Sequence, residues 1–286
     1  MRVAYMTAGD VGAGHLVRGA AIGRGLSRAG FSGTYRMFGP PLAFPAGRRN
    51  DYEAIGIRGD RALRDPRLAP GSDLAARLVA FAPDLLVVDM FWGPLRWVLP
   101  RLSCEAWLLV RICPPVWLEG GPGLPFEATQ YRRRFSIEPI RHPSLTESLD
   151  PIVIANPDDC REREDVRRRF GAAPGEPLAL VQHAGERGEV EELRRLAGPD
   201  AATLDLFEPE APFPAAEWLP GADRVFSGAG YNSYWEARWL GYDGRTTFLP
   251  FPRSIDDQAR RLDEFREIRP RENGADALAR RILVGG

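Results

Sequence analysis

The sequence contains no lysine, so all 38 of its basic residues are arginine. That excludes a lysine Schiff base and the lysine of a phosphate-binding P-loop; genome composition is the simplest origin of the bias. Cysteine is scarce too. Cys104, Cys113 and Cys160 are odd in number, far apart and in no CxxC pair, which excludes a disulfide scaffold and a cysteine zinc site and fits a reducing compartment. No apolar run approaches the roughly 18 to 20 residues that span a bilayer. The chain enters a strand-like segment, Val3–Met6, without the apolar core of a signal peptide, so the expected location is cytoplasmic. Excess positive charge is also absent. A net charge of −1 leaves nothing to neutralise a nucleic-acid backbone, and nucleic acid is not an expected partner.

What is present is a globular composition, 44% hydrophobic and 27% charged, over 286 residues. That length suits one large α/β domain or two of ordinary size. In the first half, strand-like segments at Val3–Met6, Thr34–Phe38, Leu85–Asp89 and Ala106–Arg111 alternate with helical spacing at Leu16–Ala29 and Asp73–Phe81. The run LLVVD, continuously apolar up to Asp89, is of the kind buried in parallel sheets. Between Pro114 and Pro143 the pattern dissolves into Pro, Gly and Arg, read as a long loop or lid with some helix around Ala128–Phe135. Pro151–Ala155 reads as a strand and Glu162–Phe170 as a charged helix.

A second series then begins. Strands are expected at 178–182, 202–207, 222–226 and 246–251, and helices at 190–196, 234–240, 256–267 and 275–283. Two such series imply an α/β protein of two Rossmann-like domains facing a cleft. The expected division is 1–150, 151–270, and a C-terminal helix at 271–286 that packs back on the first domain.

Two glycine loops stand out. In GDVGAGHLVRG (9–19), Gly12 and Gly14 allow close backbone approach before a helix, and His15 is one of only three histidines. In SGAGYNS (227–233), Gly228 and Gly230 do the same, while Asn232 and Ser233 can cap the next helix and bond phosphate oxygens. Ser227 opens that loop, and Glu236 lies about one turn into its helix.

From SGAGYNSYWEARWLG through a strand ending in FP to DDQARRL, the chain resembles the C-terminal half of GT-B nucleotide-sugar glycosyltransferases. It is most similar to the type that includes the lipid II-forming N-acetylglucosaminyltransferase. GDVGAGHLVRG resembles their N-terminal glycine loop, and PDLLVVD is typical of their first domain. Gly14-His15-Leu16-Val17-Arg18 also resembles the GHxxR form of the nucleotide-sugar hydrolase of pseudaminic acid synthesis. The resemblance covers most of the chain and is weakest over residues 114–150.

What it implies is a nucleotide-sugar donor, a UDP-sugar by preference, bound as substrate, with no cofactor and no metal. Ser227–Ser233 would hold the diphosphate and Glu236 the ribose hydroxyls, against a plain reading of Glu236 as a solvated helix residue. Asp257 and Gln258 would bind the donor sugar, against a plain reading of Asp256 or Asp257 as a helix cap. HAGERG (183–188) stands where a second phosphate loop belongs; Gly185 and Arg187 suit phosphate, and Glu186 opposes it. Trp218 falls where family members contact the nucleobase, or is core.

His15, at the carboxyl end of a strand, would face the cleft as a general base or as an imidazolium on the diphosphate. Arg18, one turn on, could neutralise the departing phosphate or bind an acidic acceptor, or be a surface charge. Asp89 could orient His15, act as the base, or cap a helix. The aromatic stretches 90–100 and 114–126 could line an acceptor pocket or touch a membrane peripherally, although most of those side chains read as core and lid packing. The leading expectation is transfer of a sugar to an unidentified hydroxyl. Hydrolysis of the nucleotide-sugar on the same fold, or a non-catalytic binding or scaffold role, are its alternatives.

Overall fold

Along the first strands, successive apolar side chains point to opposite faces, and each face finds its own core. In the computed structural model, which describes residues 1–7, 14–41, 51–57, 61–120, 126–205 and 212–285, β1 (Arg2–Thr7) sends Val3 and Tyr5 to one apolar cluster and Ala4 and Met6 to the other. After α1 (Gly14–Arg28), β2 (Thr34–Gly39), β3 (Tyr52–Ala54) and α2 (Asp73–Phe81), β4 (Leu85–Asp89) repeats the pattern, Leu85 and Val87 against Leu86 and Val88. A strand covered on both faces is apolar throughout, which is why LLVVD shows no alternation. One-turn α3 (Trp92–Leu95), β5 (Glu105–Val110), β6 (Arg133–Ser136) and β7 (Glu147–Ser148) complete a parallel sheet of order β3-β2-β1-β4-β5-β6-β7.

The second unit contains α4 (Arg163–Arg169), β8 (Ala179–His183), α5 (Arg187–Ala197), β9 (Ala202–Asp205), β10 (Arg224–Gly228), α6 (Tyr231–Trp239), β11 (Thr246–Leu249), α7 (Gln258–Glu264) and α8 (Gly274–Gly285). Its four strands are parallel in the order β11-β10-β8-β9. Helix α8 returns to lie on α1, so closely that a Cβ at Gly25 would stand 2.6 Å from the Ala275 carbonyl oxygen. One apolar cluster is continuous across both units, joining Val3, Tyr5 and Ile137 to Tyr231 and Trp235 of α6.

In each sheet the strand order reverses beside the first strand, between β1 and β4 and between β8 and β10. Connections there leave in opposite directions and open a crevice at the carboxyl ends of the strands. Gly14 and His15, at the end of the first loop, fall at one of these points, and the second glycine loop falls at the other. Of the first loop, Gly12 and its neighbours at 8–13 lie outside the described residues.

Several segments differ from expectation in type or bounds. Ala128–Phe135 is not helical: a single 3-10 turn, Ala128–Gln130, leads into β6, because Leu108 to Val110 of β5 offer a free parallel edge for Arg134 to Ser136. Pro151–Ala155 is extended and buried but joins no sheet. Its backbone is satisfied by side chains instead: the Ile152 amide donates to Tyr231 Oη at 2.7 Å, and Asn273 Nδ2 donates to the Val153 carbonyl at 3.0 Å. Helix α6 starts three residues earlier than Tyr234, with Gly230 in the N-cap position, so Asn232 and Ser233 stand inside its first turn rather than capping it.

Candidate active site

His15 is the second residue of α1, and helical spacing sets Arg18 on the same face one turn later. Asp89 ends β4 in register with Thr7 at the end of β1, which brings it beneath both. His15 Nδ1 lies 2.9 Å from Asp89 Oδ2, and Arg18 Nε donates to that same oxygen at 2.9 Å. Tyr5 Oη, rising from the middle of β1, reaches Asp89 Oδ2 at 2.5 Å and the His15 carbonyl at 2.7 Å. Burial alone would push the Asp89 carboxyl up, but the Arg18 guanidinium and His15 hold it well below the usual carboxylate range. Burial lowers the His15 value and raises that of Tyr5 far above an ordinary phenol, so both are neutral. The sequence thus places three of the four residues of this centre; Tyr5 is hidden in an apolar strand, where only its lone hydroxyl marks it.

The second loop is built around close approach. Gly228 ends β10, and a Cβ there would be 2.5 Å from His183 Cε1. Ser227 Oγ donates to the Gln182 carbonyl at 2.6 Å, so this hydroxyl ties β10 to β8. Among the described residues no side chain caps α6, and its first turn carries no acidic residue, which leaves backbone N–H groups at the positive end of the helix dipole. One turn in, Glu236 is 4% exposed and its Oε1 has no hydrogen-bond partner among the described residues. Burial pushes its carboxyl up to about 7. Asn232 Oδ1 is likewise buried and unpartnered, while Asn232 Nδ2 donates to the Gly14 carbonyl at 2.9 Å. Ser233, half-buried, completes that turn.

Between the two loops lies a desolvated ionic cluster. Arg261 of α7 donates to Glu138 Oε1 at 2.6 Å, to Glu138 Oε2 at 3.1 Å and to Asp256 Oδ1 at 2.6 Å. Arg111, the charge that ends the AWLLVR strand segment, pairs with Asp256 from the other side, and Trp235 Nε1 donates to Glu138 Oε1 at 2.7 Å. Arg111 and Glu138 come from the first unit and the remaining three from the second. Asp256 therefore occupies the centre and Asp257 does not: Asp257 caps α7 by accepting from the Arg260 amide at 3.0 Å. Gln258 is buried beside Asp256 and its Oε1 accepts from the Phe251 amide at 3.0 Å. A Cβ on Gly230 would approach Gln258 Nε2 within 4.0 Å, so loop and α7 start adjoin.

Around the HAGERG loop, His183 at the end of β8 meets Glu189 in the first turn of α5 and Arg253 from PFPRS. His183 Nε2 is 2.7 Å from Glu189 Oε2, and Arg253 grips both Glu189 oxygens at 2.5 and 2.6 Å. Against the effect of burial, hydrogen bonds from Arg253 and His183 hold Glu189 at about 2. Gly185 has no room for a side chain between Glu189 and His183. Arg187, exposed in the first turn of α5, stands outside this cluster. Trp218 packs edge-on against Phe170 with Arg161 over its ring. His183, one of three histidines, ends β8 one residue beyond the expected strand 178–182, and the sequence reading does not single it out; Arg253, Glu138 and Arg261 carry no comparable local signal.

No protein-family model matches the sequence, and no curated protein does. Solved structures do. The spinosyn forosaminyltransferase SpnP matches with a TM-score of 0.63 at 15% identity, over 100% of this chain and 95% of its own. The Streptomyces sp. SF2575 glycosyltransferase SsfS6, complexed with thymidine diphosphate, gives 0.55 at 15% identity over 99% and 95%. S. aureus MnaA, in a co-structure with UDP, gives 0.55 at 9% identity over 100% and 88%. The fold is GT-B. In this GT-B chain the two glycine-loop helices, α1 and α6, begin in contact with each other through Asn232 and Gly14. Among the described residues no helix is long and apolar enough to cross a membrane.

Proposed function

We propose that this GT-B protein transfers a sugar from a nucleoside diphosphate donor to a hydroxyl acceptor. The observation that carries the reading is Glu236: a buried carboxyl with an unpartnered oxygen, one turn inside an uncapped helix that follows a glycine loop. A buried polar atom without a partner is costly, and a ligand hydroxyl at Oε1 removes that cost. The same helix end supplies N–H groups for an anion, so a ribose and a diphosphate fit it together. Two similar structures, SsfS6 with thymidine diphosphate and MnaA with UDP, are nucleotide complexes of the same class.

In this reading residues 151–270 hold the donor and residues 1–150 present His15 to the reacting centre, with 271–286 returning to the first unit. Gln258 and Asp257 bound the sugar end, and Gly185 with Arg187 the outer side of the diphosphate. Charge on the leaving group is met by the α6 dipole and by arginine, without a metal. The donor claim is tested by melting the protein with UDP, TDP and GDP. A nucleotide should raise the melting temperature, and Glu236→Ala should abolish that rise; no shift with any nucleotide or nucleotide-sugar overturns the proposal. Release of free sugar without an acceptor would replace transfer by hydrolysis.

A further inference from the structure

Three arginines are buried around the glycine loops, and one of them is under-used. Arg18 donates to Asp89 Oδ2 from Nε at 2.9 Å and from Nη2 at 2.8 Å. Arg261 spreads its three nitrogens over Glu138, Asp256 and the Ala229 carbonyl. Arg111 is only 6% exposed, yet among the described residues its Nη1 alone has partners: the Asp256 carboxylate and, at 3.5 Å, the Ile112 carbonyl. Its Nε and Nη2 have none. Even the Asp256 oxygen is shared, because Arg261 Nη2 donates to the same Oδ1 at 2.6 Å. Against burial, Asp89 raises the value of Arg18, and Glu138 and Asp256 raise that of Arg261. Burial lowers the value of Arg111, and Asp256 does not offset it beside the charges of Arg18 and Arg261. A guanidinium cannot shed its charge, so its unpartnered donors are a cost that an anion removes.

Arg111 follows β5 directly, at the carboxyl edge of the sheet where the crevice opens. Its partner Asp256 lies beside the start of α6. Gln258 Nε2 is 3.4 Å from Asp256 Oδ2, and a Cβ on Gly230 would stand 4.0 Å from that same Nε2. Arg261 links Asp256 onward to the Ala229 carbonyl at 2.8 Å. The free nitrogens of Arg111 and the N–H groups at the start of α6, one set from each unit, are thus brought together through Asp256. We infer that Arg111 is an anion-binding residue whose free guanidinium edge takes a phosphate oxygen at the start of α6. A phosphate carries enough oxygens for the guanidinium and the helix N–H groups together. Two sources have that chemistry, the donor's diphosphate and a phosphorylated acceptor. Assigning it to the donor rests on the proposed function; the anion site does not.

The test is calorimetric titration of the full chain with inorganic pyrophosphate, with UDP and TDP, and with uridine and thymidine. The wild type should bind pyrophosphate, and Arg111→Gln should weaken that binding about tenfold or more, the loss of one charged hydrogen bond. Lysine offers a single nitrogen, which Asp256 occupies, so Arg111→Lys should keep the fold and still lose most of the affinity. Absence of pyrophosphate binding in the wild type, or unchanged affinity in either variant, overturns the inference. If the phosphate is the donor's, the variants should also weaken UDP or TDP and leave the matching nucleoside unaffected. Nucleoside and nucleotide falling alike would make the role of Arg111 structural and overturn it. Pyrophosphate weakened with the nucleotides untouched assigns the site to a phosphorylated acceptor. Pyrophosphate binding without any nucleotide binding would sink the donor reading and leave the anion site standing, so the two failures remain separate.

Discussion

Asn232 donates its side-chain amide to the backbone carbonyl of Gly14 at 2.9 Å, tying the first turn of α6 to the first turn of α1. The two loops that sequence reading assigns to opposite sides of a cleft are thus one hydrogen bond apart. Asn232→Ala removes that tie and the buried Oδ1 together. It should cost about 1 kcal/mol of stability, and it should weaken nucleotide binding by several-fold in a calorimetric titration. Unchanged affinity would place the nucleotide elsewhere.

On the proposed reading His15 faces the reacting centre and not the nucleotide, so binding and turnover should separate. His15→Ala is expected to keep the nucleotide-induced rise in melting temperature. Sugar transfer should fall on the order of 100-fold or more, as when a side chain acting at the reacting centre is lost. Parallel loss of both would make His15 a binding residue.

Glu236 gives the protein a pH signature. Its carboxyl has an ordinary value of 4.5 and is raised by burial to about 7 in the fold. The folded chain therefore holds this proton more tightly than the unfolded chain. Its stability contribution is complete below the unfolded value and is lost as pH rises from there through the folded one, up to about 3 kcal/mol. Melting temperatures of the free protein should decline between pH 5 and 8 more steeply than those of Glu236→Gln. Equal slopes would refute the shift.

The alternation that builds the sheets was legible because both faces of a parallel sheet must be apolar, and LLVVD or AWLLVR can satisfy little else. The centre at His15 was legible for a related reason: a glycine loop after β1 and a carboxylate ending β4 meet wherever strand order reverses. Helix prediction failed at Ala128–Phe135 because the free edge of β5 decides that segment, and this edge lies about 25 residues earlier in the chain. The cluster of Glu138, Asp256 and Arg261 failed to show for the same reason. Its members are separated by up to 123 residues, and each alone resembles any solvated charge. Asp256 and Asp257 are neighbours with opposite fates, one buried and one a cap, which no local pattern distinguishes.

Removing one member of that cluster should be severe. Arg261 is fully buried against two carboxylates, and Arg261→Met leaves Glu138 with only neutral donors and Asp256 with Arg111 as its one charged partner among the described residues. The expected loss is about 3–5 kcal/mol in denaturant unfolding at neutral pH. Protonating a carboxylate left buried without its cation would remove part of that cost. The deficit should therefore shrink as pH falls toward the carboxylate range, and Glu138→Gln in the same chain should recover part of it. A deficit independent of pH would assign the loss to packing alone.

Glycine-to-alanine changes in two helices should act in opposite directions. Alanine is favoured over glycine inside a helix by about 0.5–1 kcal/mol. At Gly188 in α5 nothing stands within 4 Å of the added Cβ, so Gly188→Ala should raise stability by about that amount. At Gly25 in α1 the new atom would lie 2.6 Å from the Ala275 carbonyl oxygen and 2.8 Å from its carbon, and backbone of α8 cannot swing aside as a side chain can. Overpacking of this kind costs about 1–3 kcal/mol and exceeds the propensity gain. Gly25→Ala should therefore lower the melting temperature while Gly188→Ala raises it, both read by calorimetry. A rise in both would mean that α8 does not bind α1 at this distance.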